Sequence, residues 1–401
     1  MKNLWIATEL FYPEETSTSF ILTKIANRLS EKYHVKVVCG DPVYDKQTKS
    51  SHFSLDSRVN VHRIKGWGGN KNSLLSRSLR FVFLSLSIFF YLWKNVKKGE
   101  KVFMVTNPAP LILLVSILKR LKKIELIILV HDVFPENTIP AGIIKSEKSV
   151  LYRVLRSIFD KAYSKADLLI TLGRDMQKVI EAKIRKYNRR SKIEIIENWG
   201  DTEGIYPLLK EGVFNEDSSL KDRIIFQYAG NLGRVQGLIE LLHIIKKVKN
   251  DRLAFHFVGE GAVKDTMIEY VKENQLTNVF CDGAYSREDQ LQILNKADVS
   301  FVSLAPKMFG LGVPSKTYNI LAAGKPVLYV GEKNSEIDLL LRDENIGYSF
   351  QHFEEQKILD FFNSFDETSV KELELMKENA RKVAEEKFSE EIILNKFYNI
   401  I

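Results

Sequence analysis

Residues 224–248 read IIFQYAGNLGRVQGLIELLHIIKKV. The run Ile224–Tyr228 is short and apolar enough for a strand buried on both faces. The loop AGNLGRVQG (229–237) carries Gly230, Gly233 and Gly237, and the segment from Leu238 to Val248 has the apolar spacing of a helix. Strand, glycine loop and helix form the repeating unit of a parallel sheet, because parallel strands need a crossover between them. The unit recurs downstream. Phe255–Val258 leads into Gly259-Glu260-Gly261 and a second helix, and Val299–Leu304 leads into FGLGVPSKTYNILAAGKP (309–326) and then Val327–Val330.

An earlier series precedes it. Leu4–Thr8, His34–Gly40, Val59–Ile64, Val102–Val105 and Leu126–Val130 read as strands, with a helix from about Phe20 to Lys32 after the loop FYPEETSTS (11–19). Two successive α/β series predict two doubly wound domains, which a length of 401 residues accommodates. The segment ENWGDTEGIYP (197–207) lies between them and reads as the linker. The tail from about Val370 to Ile401 is charged and helical in pattern.

A hydrophobic content of 45% with 27% charged residues fits a globular chain and argues against disorder. Cys39 and Cys281 are too few and too far apart for a disulfide framework or a thiolate metal site, and a reducing compartment is expected. No secretory signal is expected, since Glu9 interrupts the short apolar run after Met1-Lys2-Asn3. The longest apolar stretch, FVFLSLSIFFYLW (81–93), falls short of the ~20 residues of a spanning helix. The net charge of +8 favours acidic partners, and residues 58–123 concentrate it, with Glu100 the only acid among fourteen lysines and arginines. Nucleic-acid binding fits that charge alone, but no recognition motif accompanies it.

Glycine loops that join a strand to a helix start cradle anions, because backbone N–H groups and the helix dipole both favour negative charge there. Such loops stand at 229–237, at Gly259–Gly261 and at 309–316, and the glycine-free polar loop 11–19 holds the corresponding place after the first strand. Arg234 and Lys316 lie where either could pair with a diphosphate, and Ser315 reads as an N-cap. Each feature alone also fits an ordinary turn, cap or solvated cation. The absence of glycine from loop 11–19 argues against a dinucleotide-binding dehydrogenase.

Five segments in order, HDVFPEN (131–137), IIENWGD (195–201), YAGNLGRVQG (228–237), FVGEG (257–261) and LAAGKPVL (321–328), resemble the family 4 glycosyltransferases. The resemblance spans nearly the whole chain. It implies a GT-B fold, α/β, with two Rossmann-like doubly wound domains facing across a cleft: 1–198 toward the acceptor, 199–375 toward the nucleotide sugar, and a C-terminal helix in 376–401 packing back on the first domain. The chain departs from the family pattern at several places. Asn231 stands where the phosphate arginine is usual, Gln236 where the lysine is usual, and Arg234 would supply the lost charge. The family's two glutamates fall on Asn319 and near Lys307, and its first glycine pair on Thr16-Ser17. These departures, with FYPEETSTS and VPSKTYNILAAGKP, are similar to a bacterial branch that transfers N-acetyl-L-fucosamine in capsule and O-antigen assembly.

The resemblance implies a retaining transfer from a UDP-sugar, with no further cofactor and no metal; no Asp-x-Asp motif is present to hold one. Gly259, Gly261, Gly310, Gly312, Ser315 and Lys316 would line the donor diphosphate or sugar, and Asn319 would hold the ribose. His131 would contact the donor sugar. Glu14, Glu15 or Glu136 would orient or deprotonate the acceptor hydroxyl. The expected acceptor is an undecaprenyl-diphosphate-linked saccharide. The basic flanks of Phe81–Trp93 and Leu111–Lys123 would hold the protein peripherally on the cytoplasmic face of the membrane. A sugar-nucleotide 2-epimerase of the same fold, or a non-catalytic nucleotide-sugar-binding protein, is the alternative.

Overall fold

The computed structural model describes residues 1–14, 16–42, 53–65, 74–187, 191–209, 220 and 222–401, without the side chains of 74–78. Glu15 and Lys71 therefore lie outside the described residues, as does the side chain of Arg77. The chain forms two compact units. The first comprises Met1–Glu197, Gly310–Gly312 and Leu394–Ile401, and the second Asn198–Phe309 and Val313–Ile393.

The first unit begins β1 (Lys2–Ala7), α1 (Ser17–Leu29), β2 (Tyr33–Gly40) and β3 (Asn60–Ile64). It continues α2 (Leu74–Asn95), β4 (Lys101–Val105), α3 (Ala109–Lys122) and β5 (Glu125–Val130). It closes α4 (Val150–Tyr163), β6 (Leu168–Thr171), α5 (Arg174–Ile184) and β7 (Lys192–Ile195). The seven strands form one sheet in the order β3-β2-β1-β4-β5-β6-β7, and every pair is parallel. Central strands such as β5 are buried at Leu126–Val130, which explains why they read as unbroken apolar runs.

The second unit runs β8 (Ile224–Ala229), α6 (Leu238–Ile245), β9 (Leu253–Val258), α7 (Lys264–Glu273) and β10 (Val279–Asp282). Then come α8 (Gln290–Asn295), β11 (Val299–Ser303), α9 (Lys316–Ala322) and β12 (Val327–Gly331). Last are α10 (Glu336–Glu344), β13 (Gly347–Gln351), α11 (Glu355–Ser364) and α12 (Glu367–Lys387). Its parallel sheet has the order β10-β9-β8-β11-β12-β13. One face is filled by stacked rings: Phe226 lies over Phe255 and Phe257 over Phe301, while Phe362 meets Phe226 edge-on at 5.1 Å.

The tail, expected as one helix over 376–401, divides in two. α12 starts at Glu367 behind a capping box on Asp366 and buries Leu373 and Met376 in the second unit's core. A second helix, α13 (Glu390–Ile400), follows, and only Leu394–Ile401 groups with the first unit. There Phe397 meets Phe103 edge-on, and Tyr33 Oη and Lys101 Nζ both donate to the Ile401 carbonyl. Within the second unit the Arg381 guanidinium donates to the carbonyls of Thr202, Ile205 and Ala322, which fixes the segment read as linker.

Both sheets reverse their strand order once, at β1/β4 and at β8/β11. Open α/β sheets bind ligands outside the carboxyl ends of the strands at such points. The loops after β1, β4, β5, β8, β9 and β11 are therefore the ones that matter.

Candidate active site

In the second unit the loop after β8 nests into the loop after β9. Leu232 N–H donates to Glu260 O at 2.8 Å and Val263 N–H to Leu232 O at 3.0 Å. The approach is so close that a Cβ on Gly259 would sit 1.9 Å from Gly230 O, and one on Gly261 would sit 2.2 Å from Leu232 O. Both glycines are thus required by backbone packing, whatever ligand the loops serve.

Lys316 opens α9 and turns its side chain back to this nest. Its Nζ lies 3.4 Å from the Tyr228 ring centroid, and a Cβ on Gly230 would stand 3.1 Å from it. The Nζ is buried and has no hydrogen-bond partner. Burial alone pulls its pKa from 10.5 to about 7. A buried ammonium with no partner is costly, so this arrangement suits an anion that arrives later.

Asn231 and Gln236 flank the same backbone: a Cβ on Gly233 would lie 3.0 Å from Asn231 Nδ2 and 2.5 Å from Gln236 Oε1. Gln236 Oε1 is buried without a partner, whereas Arg234 is exposed in the 234–236 turn. Asn231, Arg234, Gln236, Gly259, Gly261 and Lys316 are therefore brought together around one loop nest. The other expected donor residues of this unit are not. Ser315 makes no capping bond, because its backbone is already helical. Asn319, expected at the ribose, instead accepts the Asp201 N–H through Oδ1 at 2.9 Å. Lys307 is exposed, and its N–H donates to Glu332 Oε1 at 2.7 Å.

Gly310 and Gly312 were expected with the second-half loops, yet they group with the first unit. Gly310 N–H donates to Asp175 Oδ2 at 3.2 Å, and Leu311 O accepts from Val133 N–H at 3.2 Å. At φ +65° Gly310 rests against α5, where a Cβ would meet Val179 Cγ2 at 2.6 Å and Asp175 O at 2.7 Å. A side chain would lift this turn off the helix.

The loop after β5 carries His131 and Asp132. Thr106 Oγ1, at the end of β4, accepts both of their backbone N–H groups at 3.1 Å. Burial pushes the His131 imidazole down to about 4, so it is neutral, and its Nε2 is buried without a partner. Burial pushes the Asp132 carboxyl up to about 6, and a hydrogen bond from Asn137 partly opposes this. Gly312 faces the pair, with its Cβ position 3.7 Å from His131 O and 3.9 Å from Asp132 Oδ1.

The expected acidic residues fare differently. Glu14 is buried, with 1% exposure, and its charge helps raise the Cys39 thiol, which burial drives up to about 12. Glu136 gives both carboxylate oxygens to the buried Lys183 ammonium, each at 2.7 Å. Asp160 takes the same ammonium at 2.6 Å, so Glu136 is a structural partner of α4 and α5. Thr16 caps α1 by accepting Ser19 N–H at 3.3 Å, and Ser17 is exposed in its first turn. Sequence reasoning missed Tyr228, Asp132 and Thr106. Asp132 was in plain view beside His131, but the rise of its carboxyl to about 6 shows only in the folded chain.

Comparison with known proteins places this arrangement. The family described as glycosyl transferases group 1 matches residues 211–383. A Pseudomonas aeruginosa protein named "Probable glycosyltransferase WbjE" is 31% identical over 398 residues, covering 99% of this chain and 97% of the relative. An Escherichia coli (strain K12) protein named "Putative colanic acid biosynthesis glycosyl transferase WcaI" is 21% identical over 343 residues, covering 82% of this chain and 83% of the relative. Among solved structures, Anabaena HepE in complex with UDP matches 100% of this chain and 99% of its own at a TM-score of 0.71 and 14% identity. WaaG, a lipopolysaccharide biosynthesis glycosyltransferase, matches 99% of each at 0.65 and 12%. Two parallel-sheet units, these structural neighbours and the WbjE relative together mean that this chain belongs to the glycosyl transferases group 1 family and is a glycosyltransferase of GT-B fold.

Proposed function

We propose that this glycosyltransferase moves an N-acetylated amino sugar, such as N-acetyl-L-fucosamine, from its UDP derivative to an undecaprenyl-diphosphate-linked saccharide, with retention and without a metal. The observation that carries the donor reading is the buried, unpartnered Lys316 Nζ beside Gly230. As the anomeric carbon bonds to the acceptor oxygen, the bond to the donor diphosphate breaks and its electron pair stays on the departing phosphate. Lys316, joined by Arg234 and the backbone of the 230–237 loop, would stabilise that charge. HepE, of the same fold, is described in complex with UDP, which supports a uridine diphosphate here. His131, neutral and with Nε2 unpartnered, suits a sugar hydroxyl. Asp132, only half-buried and with its carboxyl raised to about 6, is better suited than Glu14 or Glu136 to take the acceptor proton, since Glu14 is sealed at 1% exposure and Glu136 is held by Lys183.

The acceptor half rests on the basic and apolar helices α2 and α3, which suit a lipid-linked substrate at the inner face of the cytoplasmic membrane. The test is transfer from a panel of UDP-N-acetyl sugars, including UDP-N-acetyl-L-fucosamine, to a membrane extract carrying polyprenyl-diphosphate saccharides. Transfer from one donor, lost in Arg234→Ala and Lys316→Ala, is the expected result. Donor binding without transfer to any lipid fraction, or donor turnover without acceptor, would overturn it in favour of a sensor or an epimerase.

A further inference from the structure

Strands β4, β5, β6 and β7 are added in one direction along the first sheet, so right-handed crossovers put α2, α3, α4 and α5 on one face. α1 lies on the other, where Arg28 bonds Asn395. The outer side of the α2–α4 layer is strongly apolar. α2 exposes Phe83, Phe90 and Trp93, and α3 exposes Ile117 and Leu121. α4 adds Leu151 at 62%, Val154 and Ile158. Exposed apolar residues crossing three neighbouring helices exceed what a surface of scattered hydrophobes presents, and such patches mark interaction sites.

This stripe runs into a basic groove. Lys119, Arg120, Lys123, Lys161 and Lys165 line it with a single carboxylate, Asp167, which Lys119 already pairs. The groove sits where α3 and α4 end and β5 and β6 begin, at the amino edge of the sheet. Thr106, His131 and Asp132 stand at the opposite, carboxyl edge, so the groove is no part of the active site described above. Two helix C-termini attract cations, but they do not explain why an exposed apolar stripe ends among five of them. No described helix is long and apolar enough to cross a membrane, so a lipid contact here is superficial.

We propose that the α2–α4 face lies on an anionic bilayer surface, with the groove at the ends of α3 and α4 receiving lipid phosphates while Leu121, Val154 and Ile158 enter the headgroup layer. A second copy of this chain is the poorer occupant, because it would bring its own basic groove. The proposal deepens the membrane-acceptor reading above and rests on it.

The test is co-sedimentation of the full chain with vesicles of phosphatidylethanolamine alone or mixed with phosphatidylglycerol. Binding to the anionic vesicles is expected, with about tenfold or greater weakening in Arg120→Ala/Lys123→Ala/Lys165→Ala. A charge-keeping Lys123→Arg/Lys165→Arg variant and a Lys246→Ala/Lys249→Ala/Lys272→Ala variant on the second unit are expected to bind as the wild type does. Ile117→Ser/Leu121→Ser/Ile158→Ser is expected to lose binding while keeping the thermal midpoint. Equal binding to both vesicle types, no binding to either, or an unaffected groove variant would overturn the proposal. So would a concentration-dependent dimer that the apolar variant abolishes. Transfer to a detergent-dispersed acceptor is read in parallel. Loss of transfer with vesicle binding intact counts against the donor and acceptor reading, and loss of anionic selectivity with transfer intact counts against the groove alone.

Discussion

Replacing Lys316 by Met is expected to stabilise the ligand-free protein at neutral and acidic pH. The side chains are of similar length, and Met leaves no polar atom stranded against Tyr228. In the folded chain the lysine's pKa lies near 7, against 10.5 when solvated. Between those values the unfolded chain holds a proton that the folded chain does not, so stability rises with pH across this window. Below pH 7 both states are protonated and the full penalty stands. The difference corresponds to about 5 kcal/mol, an upper figure that reflects burial alone; the attraction of the Tyr228 ring reduces it, as does any swing of the side chain toward solvent. An observed gain of about 2–4 kcal/mol for Lys316→Met at pH 6, fading toward pH 10, is therefore expected from urea midpoints. Added UDP should then stabilise the wild type and not the variant, because the ligand supplies the missing countercharge. A variant less stable than wild type at pH 6 without ligand would refute the reasoning, as would a wild-type profile flat between pH 7 and 10.

Other outcomes follow from contacts described above. Glu136→Gln leaves the Lys183 ammonium short of one charge and is expected to cost about 3 kcal/mol in chemical denaturation while leaving the pH profile of transfer unmoved. Asp132→Asn is expected to abolish the rise in transfer rate through about pH 6, since a proton acceptor must be ionised to act; an unchanged acid limb would exclude Asp132. Gly259→Ala, at φ +148° with Gly230 O in the way, is expected to lose about 3 kcal/mol and to weaken UDP binding in calorimetry. Arg381→Met leaves three backbone carbonyls without their donor and is expected to lower the urea midpoint of the second unit by about 3 kcal/mol.

Much of the fold was legible because a doubly covered parallel strand must be apolar throughout. Val102–Val105, Leu126–Val130 and Phe255–Val258 announce themselves for that reason. The edge strands did not: β7 reads KIEI and β13 reads GYSFQ, with half-buried residues that look like any mixed segment. α4 escaped notice because Arg153, Arg156 and Lys161 interrupt its apolar residues, and only the packed helix shows those residues outside. At the site, Gly259 and Gly261 could be read as turn residues after a strand and Lys316 as the start of a helix. Gly310 could not, since its partner Asp175 is far away in sequence and belongs to another helix. Nor could Glu136 be told from a free base until Lys183 was seen to hold it.

The pairing of Phe397 with Phe103, and of Ile401 with Tyr33 and Lys101, has a consequence in time. A ribosome adding ~5–20 residues per second needs about 10–40 s to travel from the end of the first sheet, near residue 197, to residue 394. Throughout that interval the first unit waits with Phe103, Tyr33 and Lys101 lacking their partners beside α1. A nascent chain of this kind offers chaperones a defined target, and stalling late in translation would expose it longest.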